Sequence, residues 1–193
     1  MVDRLEVQNN MARIVHLFNN PDRFIVGTVG QPGERVFYLQ AKSGNRLVSV
    51  ALEKEQVNLL ADRMDELLDQ VAQVEGIEIV NLAPADLEPL DSPIDEEMKI
   101  GTIALGWNSL TSQVVIETHA MTDFLEDVPE LEEETDQGPD LLRVRISGPY
   151  ARGFCTRAKA VVAAGRPNCP LCENPLDPRG HICPRANGFR RRG

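Results

Sequence analysis

Three of the chain's four cysteines and one of its three histidines fall within fifteen residues, as Cys169, Cys172, His181 and Cys183. A tetrahedral divalent ion takes four soft or borderline donors. A Cys-x-x-Cys turn supplies two thiolates while its backbone N–H groups point at the sulfurs. The second pair, His181-x-Cys183, follows a turn-forming run that ends Asp177-Pro178-Arg179-Gly180. This spacing predicts a closed structural zinc knuckle with Cys169, Cys172, His181 and Cys183 as ligands. Four filled positions leave no room for a metal-bound water, so such an ion holds structure and does no chemistry. Folding of so short a segment then depends on the metal, whose binding contributes roughly 10–16 kcal/mol in model peptides.

Other uses of these thiols stay open. A disulfide framework belongs to an oxidising compartment, and the chain lacks a charged-then-apolar leader, so a cytoplasmic location with reduced thiols is expected. A redox Cys-x-x-Cys opens a helix after a strand, whereas Pro170 and the prolines behind it do not continue as one. Cys155, fourteen positions before Cys169 in a helix-like segment, is an alternative to His181 as fourth donor.

The other chemistry-bearing pair is Glu117 and His119. In S-Q-V-V-I-E-T-H-A (112–120) they alternate with Ile116 and Thr118, so one strand holds both on one face, where they could serve acid–base catalysis. No nucleophile is spaced with them, and the simpler expectation is two polar residues on the wet face of an antiparallel strand. His16 is a lone histidine in an apolar strand.

The elements that must position these groups read off in order. Strands are expected at 12–18, 23–29, 36–42 and 46–52, separated by Asn19-Asn20-Pro21, Gly30-Gln31-Pro32-Gly33 and Ser43-Gly44-Asn45, which is an antiparallel meander. From Glu53 the period changes. Val57, Leu60, Ala61, Met64, Leu67, Leu68, Val71 and Val74 follow helical spacing, with Asp62, Asp65, Glu66 and Asp69 on what is most simply a solvated side. Strands at 98–107, 112–120 and 141–147 follow, then a helix that starts at Ser147-Gly148-Pro149 and stops at Gly165. Runs of strands followed by a helix predict an α+β fold, an antiparallel sheet with two packed helices and the C-terminal knuckle. Residues 1–165 make the body and 166–193 the knuckle and basic tail. Two acidic stretches interrupt the body. Residues 75–97 carry eight acids and no bases and read as a linker or long surface loop, and residues 123–140 carry nine acids and no bases, whose mutual repulsion predicts a mobile loop.

The formal charge of −10 over 193 residues hides a split. From Arg143 onward eleven Lys/Arg face two acids, a net of +9, which leaves nine against 28 and a net of −19 for residues 1–142. The basic end must meet an anionic partner or dock on the acidic body of its own chain. Arg152, Lys159, Arg166, Arg179, Arg185, Arg190, Arg191 and Arg192 are the candidate anion contacts, with Arg157 beside them and Phe189 as a stacking surface. Nucleic acid, a phosphoprotein or a phosphate ligand would suit them. No apolar run approaches the 18 or more residues of a membrane span.

Three stretches resemble an uncharacterised actinobacterial family, domain-of-unknown-function family 3090: P-D-R-F-I-V-G-T-V-G-Q-P-G (21–33) with the F-Y-L-Q-A and R-L-V-S-V that follow, A-G-R-P-x-C-P-L-C, and P-L-D-P-x-G-H-I-C-P-R-A-N-G (175–188). The likeness runs nearly end to end and implies that Cys169, Cys172, His181 and Cys183 are that family's metal set. Glu173 stands where the knuckle pattern has glycine. The resemblance carries no established activity. The gene settings it implies hold a histidine phosphatase, a lipid-kinase-like protein and a thiol-synthesis ligase, a hint of phosphate or thiol metabolism. The expected function is a zinc-stabilised binding or adaptor protein with a basic C-terminal surface. The alternative is an enzyme acting on a phosphorylated or acidic small molecule through Glu117 and His119.

Overall fold

Arg23 to Leu52 folds as the meander its turns demand. In the computed structural model, which describes residues 13–31, 33–80, 86–122, 128–165, 169–172, 183 and 185, β2 (Arg23–Val29), β3 (Val36–Ser43) and β4 (Arg46–Leu52) follow the short β1 (Val15–Asn19). β2 pairs antiparallel with β3, and β3 with β4. Gly44, at φ 57°, makes the tight two-residue turn between β3 and β4, a left-handed conformation that costs a glycine nothing.

Helix α1 (Lys54–Glu75) begins at a Glu53/Gln56 capping box and stops at Gly76 in the left-handed conformation. Then come β5 (Glu96–Asn108), β6 (Gln113–Ala120), β7 (Leu141–Ser147) and helix α2 (Gly148–Ala163). Ser147 caps α2 by accepting from the Tyr150 N–H.

Among the described residues the seven strands form one sheet in the order β1-β7-β6-β5-β4-β3-β2. It is mixed, which corrects the expected antiparallel sheet. β4 pairs parallel with β5, and β1 parallel with β7. The physical reason is connection length. A two-residue turn forces antiparallel neighbours, but α1 and the segment behind it carry the chain back to the start of the sheet, so β5 runs alongside β4.

Six inter-strand steps would set the outer strands of a flat sheet about 29 Å apart. Yet β1 and β2, at opposite ends of the order, are joined by Asn20, Pro21 and Asp22 alone, a link that reaches at most ~15 Å. The sheet must therefore curl. β5 supplies part of the bend: its first half pairs with β4 and its second with β6, with register shifts near Ile100 and Thr102.

Both helices pack on one face of this sheet. Phe24, Val26, Leu39, Val50, Val114, Ile116, Val144 and Ile146 of the strands meet Leu60, Met64, Leu68, Phe154 and Ala158 of the helices in a single buried core. Phe24 stacks on Phe154 with ring centroids 4.8 Å apart. Among the described residues no helix is long and apolar enough to cross a membrane.

Candidate functional site

Cys169, Cys172 and Cys183 come together as the spacing predicts. Their sulfurs lie within 4.8 Å of one another, and Cys169 Sγ is 3.8 Å from Cys183 Sγ. Thiolates 2.3 Å from a tetrahedral ion stand about 3.8 Å apart, so this edge already has the dimension a metal requires. Backbone N–H groups of Leu171 and Cys172 bond to the Cys169 sulfur and hold its thiol below the usual range, the polarity a thiolate ligand needs. Arg185 Nη1 donates to the Leu171 carbonyl at 2.9 Å, tying the residue two positions after Cys183 to the Cys-x-x-Cys turn. The three cysteines can hold a metal ion.

All four cysteines are free thiols. Cys155 stays apart from the cluster. It lies in the core with 1 % exposure, and burial pushes its thiol up to about 12. His181 lies outside the described residues, as do Arg166, Arg179, Arg190, Arg191 and Arg192.

Of the candidate anion contacts, Arg152 and Lys159 are occupied by the chain's own acids. Arg152 Nη1 bonds Asp65 at 2.8 Å and its Nη2 bonds Asp69; Lys159 Nζ bonds Asp65 at 2.6 Å. The acidic side of α1 is thus a seam between the helices rather than a wholly solvated surface. Burial would raise Asp65, but hydrogen bonds from Lys159 and Arg152 prevail and hold it below the ordinary carboxylate range. Arg157 is 4 % exposed and donates to the carbonyls of Val26, Asp86 and Glu88. Together with Arg23, which grips Asp86 and Asp91, it fastens part of the first acidic stretch to the body. Of the candidate anion contacts, Arg185 alone among the described residues lies beside the cysteine turn, and it is exposed.

The face of the sheet away from the helices holds a second cluster. Glu117, His119 and Arg143 are each 2 % exposed or less, which corrects the expectation of a wet strand face. Cross-strand register places Glu117 opposite Arg143, and Arg143 Nε donates to Glu117 Oε1 at 2.5 Å. His119 Nε2 sits 3.4 Å from Glu117 Oε2. What covers them is the second acidic stretch. Residues 128–140 form a strap, not a free loop, because arginines neutralise the acids that would otherwise repel. Arg143 bonds Glu134 Oε1 at 2.9 Å and the Glu133 carbonyl at 3.1 Å, and Arg145 bonds Glu132 at 2.7 Å. The Glu132 N–H donates to Glu117 at 2.8 Å, and Leu131 fills the space over Gly106.

Sequence reasoning missed Arg143 as the partner of Glu117 and Arg145 as the partner of Glu132. The signal was present: in L-L-R-V-R-I-S the period of two puts Arg143 and Arg145 on one face, directly after nine acids.

No curated protein and no solved structure matches this chain. The family model described as "Protein of unknown function (DUF3090)" matches residues 16–183, and the chain belongs to that family.

Proposed function

We propose that Cys169, Cys172 and Cys183 bind a structural zinc ion with His181 as the fourth donor, and that the protein is a non-catalytic binding module whose C-terminal segment this ion fixes. The observation that carries the reading is the 3.8 Å sulfur separation, the edge of a zinc–thiolate tetrahedron, beside N–H groups that favour thiolate. Zinc suits three soft thiolates and an imidazole, and a four-ligand shell leaves no open position for substrate.

The pairing of Arg152 and Lys159 with α1 narrows the expected anion surface to Arg166, Arg179, Arg185 and Arg190 to Arg192. These residues flank or follow the cysteines, so ordering the segment around a metal would gather them into one basic surface for nucleic acid, a phosphoprotein or a phosphate ligand.

Metal analysis of the purified chain tests the reading. About one zinc per chain is expected, kept by Cys155→Ser and lost by Cys169→Ser and by His181→Ala. A metal-free wild type, or full retention in Cys169→Ser, would sink it. A second reading, an enzyme built on Glu117 and His119, is favoured by one observation only, their burial beside unpartnered polar atoms.

A further inference from the structure

β5 changes partners along its length. β4 reaches no further than Ala51 opposite Lys99, because the chain leaves the sheet after Leu52 to start α1. From Thr102 to Asn108, β5 pairs with β6 alone. Neighbouring bonds give the direction of its backbone groups. The Ala120 N–H donates away from β5, to the Asp140 carbonyl at 2.8 Å, so alternation aims the backbone of His119, Glu117 and Val115 at Thr102, Ala104 and Gly106. The N–H and C=O groups of Ile103, Leu105 and Trp107 therefore point away from β6, and among the described residues they have no partner.

Helix α1 runs beside this open edge. The Ile100 and Gly101 carbonyls accept from Gln56 Nε2 at 3.3 and 3.2 Å, and at the far end Trp107 Nε1 donates to Glu75 at 2.8 Å. Between helix and edge lies a cavity of about 310 Å³, lined by Leu59, Leu60 and Arg63 of α1 and by Gly101, Ile103 and Leu105 of β5. It opens to solvent, since Leu59 is 57 % exposed.

These features select an occupant. Free N–H and C=O groups that recur at every second residue, about 6.6 Å apart, are satisfied in step by another extended backbone. The cavity walls are aliphatic, and the volume is at the low end of ligand sites, so it suits one or two apolar side chains rather than a cofactor. Arg63 is the charged residue of the lining. Its pair with Glu66, 2.9 Å long and exposed on both sides, is exchanged at little cost, so Arg63 favours an acid on the incoming chain. A second copy of this chain fits less well: it would bring its own α1 to the same edge, and an open stretch of about 13 Å is short for the roughly 1,200 Å² that a stable dimer buries.

We propose that the groove between α1 and β5 binds an extended segment of a partner polypeptide by strand addition. The segment's backbone pairs with Ile103, Leu105 and Trp107, one of its aliphatic side chains fills the space between Leu59 and Leu105, and an acidic residue meets Arg63. The site rests on α1 and β5 alone. It agrees with the reading of a binding module without needing the zinc ion, so the failure of either leaves the other standing.

The test begins with amide hydrogen exchange of the full, metal-replete chain, followed residue by residue by nuclear magnetic resonance. The amides of Ile103, Leu105 and Trp107 should exchange roughly tenfold or more faster than those of Ala104 and Gly106, which β6 holds. Equal protection of all five overturns the proposal, whether the cover is this chain or, where dilution releases it, a second copy. A display library of random nine-residue peptides is then selected on the same chain. Enriched sequences should alternate apolar residues and carry an acid, and a synthetic example should slow exchange at Ile103, Leu105 and Trp107. N-methylation of its alternate amides in one register should weaken binding roughly tenfold or more, while the other register tolerates it. Leu59→Glu, at an exposed position, should weaken the same peptide to a similar extent with an unchanged circular dichroism spectrum. No enrichment, or a peptide indifferent to Leu59→Glu or to both N-methyl registers, overturns the site.

Discussion

Arg143 is the largest fully buried side chain among the described residues, and its five donors explain why it can be. It reaches Glu117, Glu134 and the Glu133 carbonyl, so its charge leaves water only to meet two carboxylates and a backbone oxygen. Such a pair adds less to stability than its short distance suggests, because desolvation offsets most of the Coulomb gain. Breaking it is another matter. Arg143→Met leaves Glu117, 1 % exposed, without its counter-charge, and a loss of about 3–5 kcal/mol is expected by denaturant unfolding. Lysine at the same position should restore little, since one ammonium cannot reach three acceptors from a planar fork. Recovery to wild-type stability in Arg143→Lys would show that charge alone, not the fork, is what the site needs.

At the scale of elements, the strap at 128–140 is the feature with most to lose. It has no helix or strand of its own and is held by side chains: Glu132 by Arg145 and Asn108, Glu134 by Arg143, and Leu131 over the bare Cα of Gly106. A Cβ at position 106 would come within 2.3 Å of the Leu131 Cδ2. Gly106→Val should therefore lift the Leu131 side chain and loosen the strap without disturbing the helix-side core, which β5 meets through Ile103, Leu105 and Trp107. Limited proteolysis with an acidic-specific protease checks this. Cleavage within 130–136 should accelerate while the far-ultraviolet spectrum is retained. A strap cut no faster than in wild type would mean that the ion pairs, not Leu131, fix it.

At the scale of the whole molecule, one rule organises the charges: acidic segments are fastened by the chain's own cations. Arg152 and Lys159 bind α1, Arg23, Arg157 and Lys42 bind residues 86–91, and Arg143 and Arg145 bind the strap. The rule has a pH signature. Burial, the largest cause, lowers the proton affinity of His16 and His119 in the folded chain. The unfolded chain then takes up more protons below about 6.5, so stability is full above that value and falls as the pH drops through it, by up to ~1.4 kcal/mol per unit for each histidine. Asp86 and Glu132, held down first by hydrogen bonds from Arg23 and Arg145, act in the same direction at lower pH. Their contribution is present above the ordinary carboxylate range and is lost as the pH falls through their depressed values. Chemical unfolding between pH 4 and 8 should show two stages of loss, the upper one reduced in His119→Gln. A stability independent of pH between 5 and 7 would contradict the burial of His119.

Much of this was legible along the chain. Turn residues, helix caps and the change of period from two to 3.6 set the strands and helices to within a few residues, since those signals act between near neighbours. The Cys-x-x-Cys turn and its distant Cys183 were legible for the same reason: few soft donors at short spacing have few ways to meet. The rest was decided by contacts distant in sequence. Whether β4 and β5 run parallel depends on where α1 returns the chain, and composition does not encode that path. Whether Asp65 faces water or an arginine depends on which elements pack together, so the acidic side of α1 reads as solvated until Arg152 arrives from 87 positions away. The sheet's curl, which follows from a three-residue link between its outermost strands, is what turns a strand's polar pair, Glu117 and His119, into a buried site.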